Sequence, residues 1–124
     1  MAITVKKRRF GITKAGEPVD VYKSDVLCVE LLEYGATIRS LLVRNGDGWT
    51  DVVLGYDTLR EYEENDGFVG ACIGRVGNRI GSACFQLNGR TYPLAKNDGE
   101  NHLHGGVRGF DKCVWTAEPL EDGV

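Results

Sequence analysis

Asn88-Gly89 is the feature that most limits what this chain can fold into. Both residues accept the left-handed backbone that a two-residue hairpin turn demands. Placing the turn there pairs Leu87 with Arg90 and Phe85 with Tyr92, and carries the register on to Ala83 and Leu94. Ala83, Phe85, Leu87, Tyr92 and Leu94 then share one face. Turn chemistry and side-chain alternation thus specify the same antiparallel hairpin over residues 83–94.

The same period of two runs through the first half of the chain. Residues 26–32 read as a strand with Leu27, Val29 and Leu31 on one face, broken at Gly35, and residues 37–43 read as its return. Asn45-Gly46-Asp47-Gly48 is a turn by composition, and residues 51–54 read as a short apolar strand ending at Gly55. The cations Lys6, Lys7, Arg8 and Arg9 suit a solvated terminus or the start of an edge strand. One helix is predicted over residues 58–64, where Thr58 and Glu61 form a capping-box pair. Short strands and 17 glycines point to a mainly all-β sandwich or barrel-like architecture. Residues 116–124 read as a strand exit into a turn whose return strand is missing, which suggests a truncated protein.

Composition narrows the function. With 42% apolar and 27% charged residues the chain is no candidate for disorder, and no apolar run reaches the ~18–20 residues of a membrane span. A net charge of −3 argues against a nucleic-acid partner. The basic start lacks the apolar segment of a secretory leader, so a cytoplasmic protein is expected. Cys28, Cys72, Cys84 and Cys113 show no metal or redox spacing. They read as reduced structural thiols, with Cys28 and Cys84 buried inside strand-like runs.

Chemistry concentrates in Gly74-Arg75-Val76-Gly77-Asn78-Arg79-Ile80 and Asn101-His102-Leu103-His104-Gly105-Gly106. The two stretches gather guanidinium, amide and both histidines of the chain, groups suited to an uncharged ligand rich in hydroxyls. The His102/His104 pair lacks a nearby carboxylate as third ligand, so no metal site is expected. Gly70, Gly74, Gly77 and Gly81 fit neither a dinucleotide fingerprint nor a P-loop and instead suit tight turns or close approach of a ligand. Composition by itself favours surface salt bridges for Arg75 and Arg79, to carboxylates of residues 61–66. The sharper alternative aims the planar fork of Arg79 at ligand oxygens beside Asn78.

Taken in order, the first stretch, then Phe85-Gln86-Leu87-Asn88-Gly89-Arg90-Thr91-Tyr92-Pro93-Leu94, Asn97-Asp98-Gly99-Glu100-Asn101 leading into the second stretch, and Gly109-Phe110-Asp111-Lys112 with Trp115, closely resemble the aldose 1-epimerase (galactose mutarotase) family. Gly35-Ala36-Thr37-Ile38 and Asp51-Val52-Val53-Leu54-Gly55-Tyr56-Asp57 extend the resemblance backwards. It implies a galactose-mutarotase-like β-supersandwich, with residues 1–124 as the N-terminal part of a single domain. It implies a small-molecule aldohexose as substrate, held by Asn78, Arg79 and His104, and no cofactor. His102 falls where the family has no fixed histidine and is left structural. The family's general acid, a histidine, and its general base, a glutamate, are expected beyond Val124, so no catalytic residue is assigned here. Three alternatives stay open: a hexose-6-phosphate epimerase with Arg108 as phosphate ligand, a non-catalytic carbohydrate-binding protein, and an inactive fragment. Oligomeric state and the preferred aldose are not legible.

Overall fold

The structure is a computed structural model describing residues 4–24, 28–65, 67–121 and 123–124. Five strands form an antiparallel meander in chain order: β1 (Val5–Ile12), β2 (Pro18–Ser24), β3 (Val29–Leu32), β4 (Thr37–Asn45) and β5 (Gly48–Asp51). A short helix α1 (Leu59–Glu64) packs on this sheet. Beyond it, β6 (Arg79–Ile80) pairs with β9 (His102–Leu103), and β7 (Cys84–Leu87) pairs with β8 (Arg90–Pro93). The fold is mainly β, and its sheets are open.

The core sits between the meander and α1. Val19 and Val21 of β2, Leu32 of β3, Tyr34, and Leu59 and Tyr62 of α1 form one buried cluster, flanked by Phe10, Tyr56 and Val114. Gly11 permits the contact, since a Cβ there would lie 2.9 Å from the Cβ of Leu59. The helix starts as expected. Thr58 accepts from the N–H of Glu61, whose carboxylate accepts from the N–H of Thr58. The reciprocal pair satisfies two amides that the helix cannot satisfy itself.

Alternation along β2 buries both faces. Opposite the apolar set, Asp20 is buried and takes Arg9 Nε at 2.6 Å and Lys7 Nζ at 2.9 Å, both from β1, which is the sheet's edge as expected. Glu30 of β3, also buried, binds Arg39 Nη1 at 2.5 Å. Carboxylates removed from water this far require such partners.

The hairpin over residues 83–94 forms in the expected register, with Phe85 opposite Tyr92, Leu87 opposite Arg90, and the N–H of Leu94 donating to Ala83 O at 2.8 Å. Asn88 and Gly89 have φ of 50° and 73°. The rings of Phe85 and Tyr92 stack at 5.0 Å, yet all residues of β7 and β8 are exposed. Cys84 is consequently exposed, not buried, and Cys28 is half-buried.

Other expectations need correction. The strand expected over residues 26–32 is β3, starting at Val29; Val26 and Leu27 lie outside the described residues. The return strand runs on to Asn45, and the turn delivers the chain into β5, not into a strand over residues 51–54. Asp51 is the reason. Its Oδ1 accepts from the N–H of Leu41 at 3.0 Å and of Val53 at 3.1 Å, which turns the chain out of the sheet and leaves Leu54 83% exposed. Residues 116–124 hold no strand among those described. Extended pairing ends with a bridge from Tyr34 to Val114 and a bond from Trp115 N to Glu33 O.

The buried ion pairs set an acid limit. Asp20 is held below its ordinary value of 3.8, mainly by the hydrogen bond with Lys7 and then by the charge of Arg9. Asp51 is lowered too, by the Ser40 hydroxyl and the two amides. A folded-state pKa below the unfolded one gives stability that is complete above 3.8 and lost as pH falls through the lowered values. The urea midpoint should therefore drop in that acid range, and Asp20→Asn should lower it near neutrality and flatten its acid dependence. An unchanged acid slope in Asp20→Asn would show that Asp20 does not carry it.

Candidate functional site

Two strands of two residues each bring the chemistry-bearing stretches together. Arg79 lies opposite Leu103 and Ile80 opposite His102. The crossing is close: a Cβ on Gly105, whose φ is 94°, would collide with the carbonyl of Gly74. Glycine here serves approach of one backbone to another, whereas the sequence reading assigns the neighbouring glycines to tight turns or a ligand.

Just beyond the strands, Asn78 and His104 grip each other. The N–H of His104 donates to Asn78 O at 3.1 Å, and the N–H of Asn78 donates to the Nδ1 of His104 at 2.8 Å. Both residues take left-handed backbone, with φ of 61° and 52°. Asparagine and histidine are among the side chains most often tolerated there. A backbone amide can only donate, so Nδ1 of His104 is unprotonated and the ring proton resides on Nε2. Phe68 packs edge-on against this ring with centroids 4.9 Å apart, fixing its plane.

Arg79 is oriented at two points. Its Nε meets Asp98 Oδ2 at 2.5 Å, and its Nη1 donates to the Asn78 side-chain oxygen at 3.3 Å. The salt-bridge expectation is thus correct in kind for Arg79 and wrong in partner, because Asp98 replaces the carboxylates of residues 61–66. Arg75 makes no such bridge among the described residues and lies over the Phe110 ring at 5.3 Å. Asn97 fastens the turn that carries Asp98, exchanging two 2.9 Å bonds with the backbone of Leu103.

His102 points elsewhere. It is buried, with Nδ1 3.0 Å from Ala95 O, so that nitrogen carries its proton and donates inward. The two histidines therefore do not converge. A cleft of about 440 Å³ is lined by Phe68, Asp98, Leu103, Val107, Asp111 and Lys112. A second, more apolar one of about 480 Å³ is lined by Arg75, Ile80, Phe85, Arg108 and Phe110 among others. Asp98 and Phe68 are the residues that sequence reasoning missed. Asp98 stood inside a quoted motif without a role, whereas nothing local marks Phe68.

Linked by these bonds, the trio offers a fixed N–H donor, a guanidinium fork and an amide, with no nucleophile among them, and none of the three lines either cleft. Such a site suits a neutral polyhydroxylated ligand on a mainly β scaffold. The aldose 1-epimerase family model matches residues 21–124, and the chain belongs to that family. It is 48% identical over 103 residues to the galactose mutarotase of Sus scrofa, covering 82% of this chain and 30% of that protein. It is 42% identical over 125 residues to the galactose mutarotase of Homo sapiens, covering 98% and 36% respectively. A solved galactose 1-epimerase from Lactobacillus acidophilus NCFM superposes with a TM-score of 0.77 at 26% identity, over 92% of this chain and 33% of that one. The chain spans about a third of the length of these relatives.

The tautomer is directly measurable. Long-range ¹H–¹⁵N correlation should place the neutral His104 ring as Nε2–H and His102 as Nδ1–H. An Nδ1–H signal for His104 would rule out the bond from the Asn78 amide.

Proposed function

We propose that this chain supplies the hexose-gripping part of an aldose 1-epimerase, as the N-terminal part of a single domain, with Asn78, Arg79 and His104 as substrate ligands. The observation that carries this reading is the oriented trio itself: three side chains of the kind that hydrogen-bond sugar oxygens, each held by a protein partner. Kinship with galactose mutarotases supports a free aldohexose as substrate.

Anomer exchange requires ring opening. A base removes the proton of the C1 hydroxyl while an acid protonates the ring oxygen, and the pyranose becomes an open aldehyde. Rotation about C1–C2 and closure with the proton transfers reversed give the other anomer. Electrons and protons balance within the sugar and the acid–base pair, so the reaction needs no cofactor. In this scheme Arg79 and the Nε2–H of His104 donate to sugar oxygens as charge develops, and Asn78 fixes orientation.

The acid and base themselves are assigned outside these residues. His102 spends its Nδ1 proton on Ala95 O, His104 has Nδ1 occupied, and the nearest carboxylate, Asp98, is engaged by Arg79. The proposed setting is cytoplasmic. The exposed thiols of Cys72 and Cys84 suit a reducing compartment, and among the described residues no helix is long and apolar enough to cross a membrane.

Polarimetry of freshly dissolved α-D-galactose tests the reading. The complete product of this reading frame should speed the decay of rotation beyond that in buffer; a decay equal to buffer would refute it. His104→Ala should cut turnover by about tenfold or more without unfolding the protein, with a small fall in melting temperature because the Asn78 amide loses its acceptor and alanine tolerates a φ of 52° poorly. Arg79→Lys should be similarly harmful, because an ammonium cannot reproduce the planar fork whose Nε meets Asp98 and whose Nη1 meets Asn78. An unimpaired Arg79→Lys would confine Arg79 to its ion pair.

A further inference from the structure

The geometry points to Asp98 as a specificity residue that restricts the Asn78–Arg79–His104 site to uncharged sugars and turns away phosphorylated or carboxylated ones. The inference rests on the sugar-binding reading above and adds the sign of the charge that the site rejects.

A guanidinium beside an amide and an imidazole N–H is, taken by itself, an anion site. What prevents that here is the 2.5 Å contact from Asp98 Oδ2 to Arg79 Nε. The contact cancels the cation and takes the Nε edge of the fork, leaving the Nη edge toward the Asn78 side-chain oxygen. Asp98 is well placed to do so. The turn that holds it is closed by bonds from Asn97 N and Asp98 N to Asn101 O, both 3.2 Å, and its carboxylate lines the cleft next to Phe68.

The neighbouring cations are matched as well. Lys112 Nζ lies 3.7 Å from Asp111 Oδ2 and donates to Asn65 O at 2.7 Å, and Lys96 meets Glu100 at 2.5 Å. Arg79, Lys96 and Lys112 are thus each paired with a carboxylate, Asp98, Glu100 and Asp111 in turn. Arg108, the phosphate ligand of the alternative reading, lines the other cleft with Arg75. A phosphate ester brought to Arg79 would meet the Asp98 carboxylate at short range, a like-charge approach that costs affinity, whereas a neutral hydroxyl can accept from Arg79 and donate to Asp98.

The test uses calorimetric titration of the complete product of the reading frame, with D-galactose, D-galactose 6-phosphate and inorganic phosphate as probes. The unaltered protein should prefer galactose to its 6-phosphate, and Asp98→Asn should narrow that preference by about tenfold, through a gain for the ester that shrinks as salt is added. Asp98→Glu should restore the preference. Asparagine keeps the turn, because none of the bonds that hold it uses the Asp98 side chain. A preference unchanged in Asp98→Asn would overturn the inference while leaving the sugar reading intact. So would an unaltered protein that binds the ester as tightly as galactose, whether through Arg108 or otherwise. If galactose binds neither protein, a gain of inorganic phosphate binding confined to Asp98→Asn sustains the charge inference and refutes the sugar reading. Absence of binding by every probe to both proteins would overturn the inference too.

Discussion

The reciprocal bonds between Asn78 and His104 are the constraint on which the site depends. Two backbone amides are committed, one to a carbonyl and one to a ring nitrogen, and both residues pay for left-handed backbone to make the exchange. The result is a histidine whose plane, tautomer and distance from Arg79 follow from the main chain. Everything else nearby serves that crossing. Gly105 lets the strands approach, Asn97 ties down the turn that carries Asp98, and Phe68 closes the side of the ring.

Local chemistry was legible in the residues wherever the interaction spans only a few positions. The Asn88-Gly89 turn and the Thr58/Glu61 capping box each specify a conformation through partners three or four residues apart, and both formed as expected. The end of β5 was not legible. Asp51 reads as the first residue of an apolar strand, but its carboxylate finds the amide of Leu41, ten positions away, and a tertiary bond outweighs the β-propensity of Val52 and Val53.

The site divides along the same line. Motif resemblance names Asn78, Arg79 and His104, and hydrogen bonds link the three in the structure. The partner of Arg79 was misassigned because acidic residues are dense at 61–66, whereas Asp98 reaches it only through the β6–β9 pairing, 19 positions along. Phe68 had no signal, since its contact with His104 depends on the path of a loop. The expected burial of Cys84 failed for a different reason: alternation puts its side chain opposite Phe85 and Leu87, on the face it shares with Gln86 and Thr91, and that face is exposed.

The arrangement of β1 carries a consequence for how these molecules behave in a crowd. An edge strand offers unpaired amides and carbonyls to any other strand that drifts alongside. Here that edge carries Lys6, Lys7, Arg8 and Arg9 in succession, and only part of their charge is cancelled by Asp20 and Glu30 from the inner side. A second copy aligning its own β1 along the first would set two rows of cations against each other. The meander is thereby guarded against growing into a ribbon of stacked copies, although the buried carboxylates of Asp20 and Glu30 require those same cations to stay where they are.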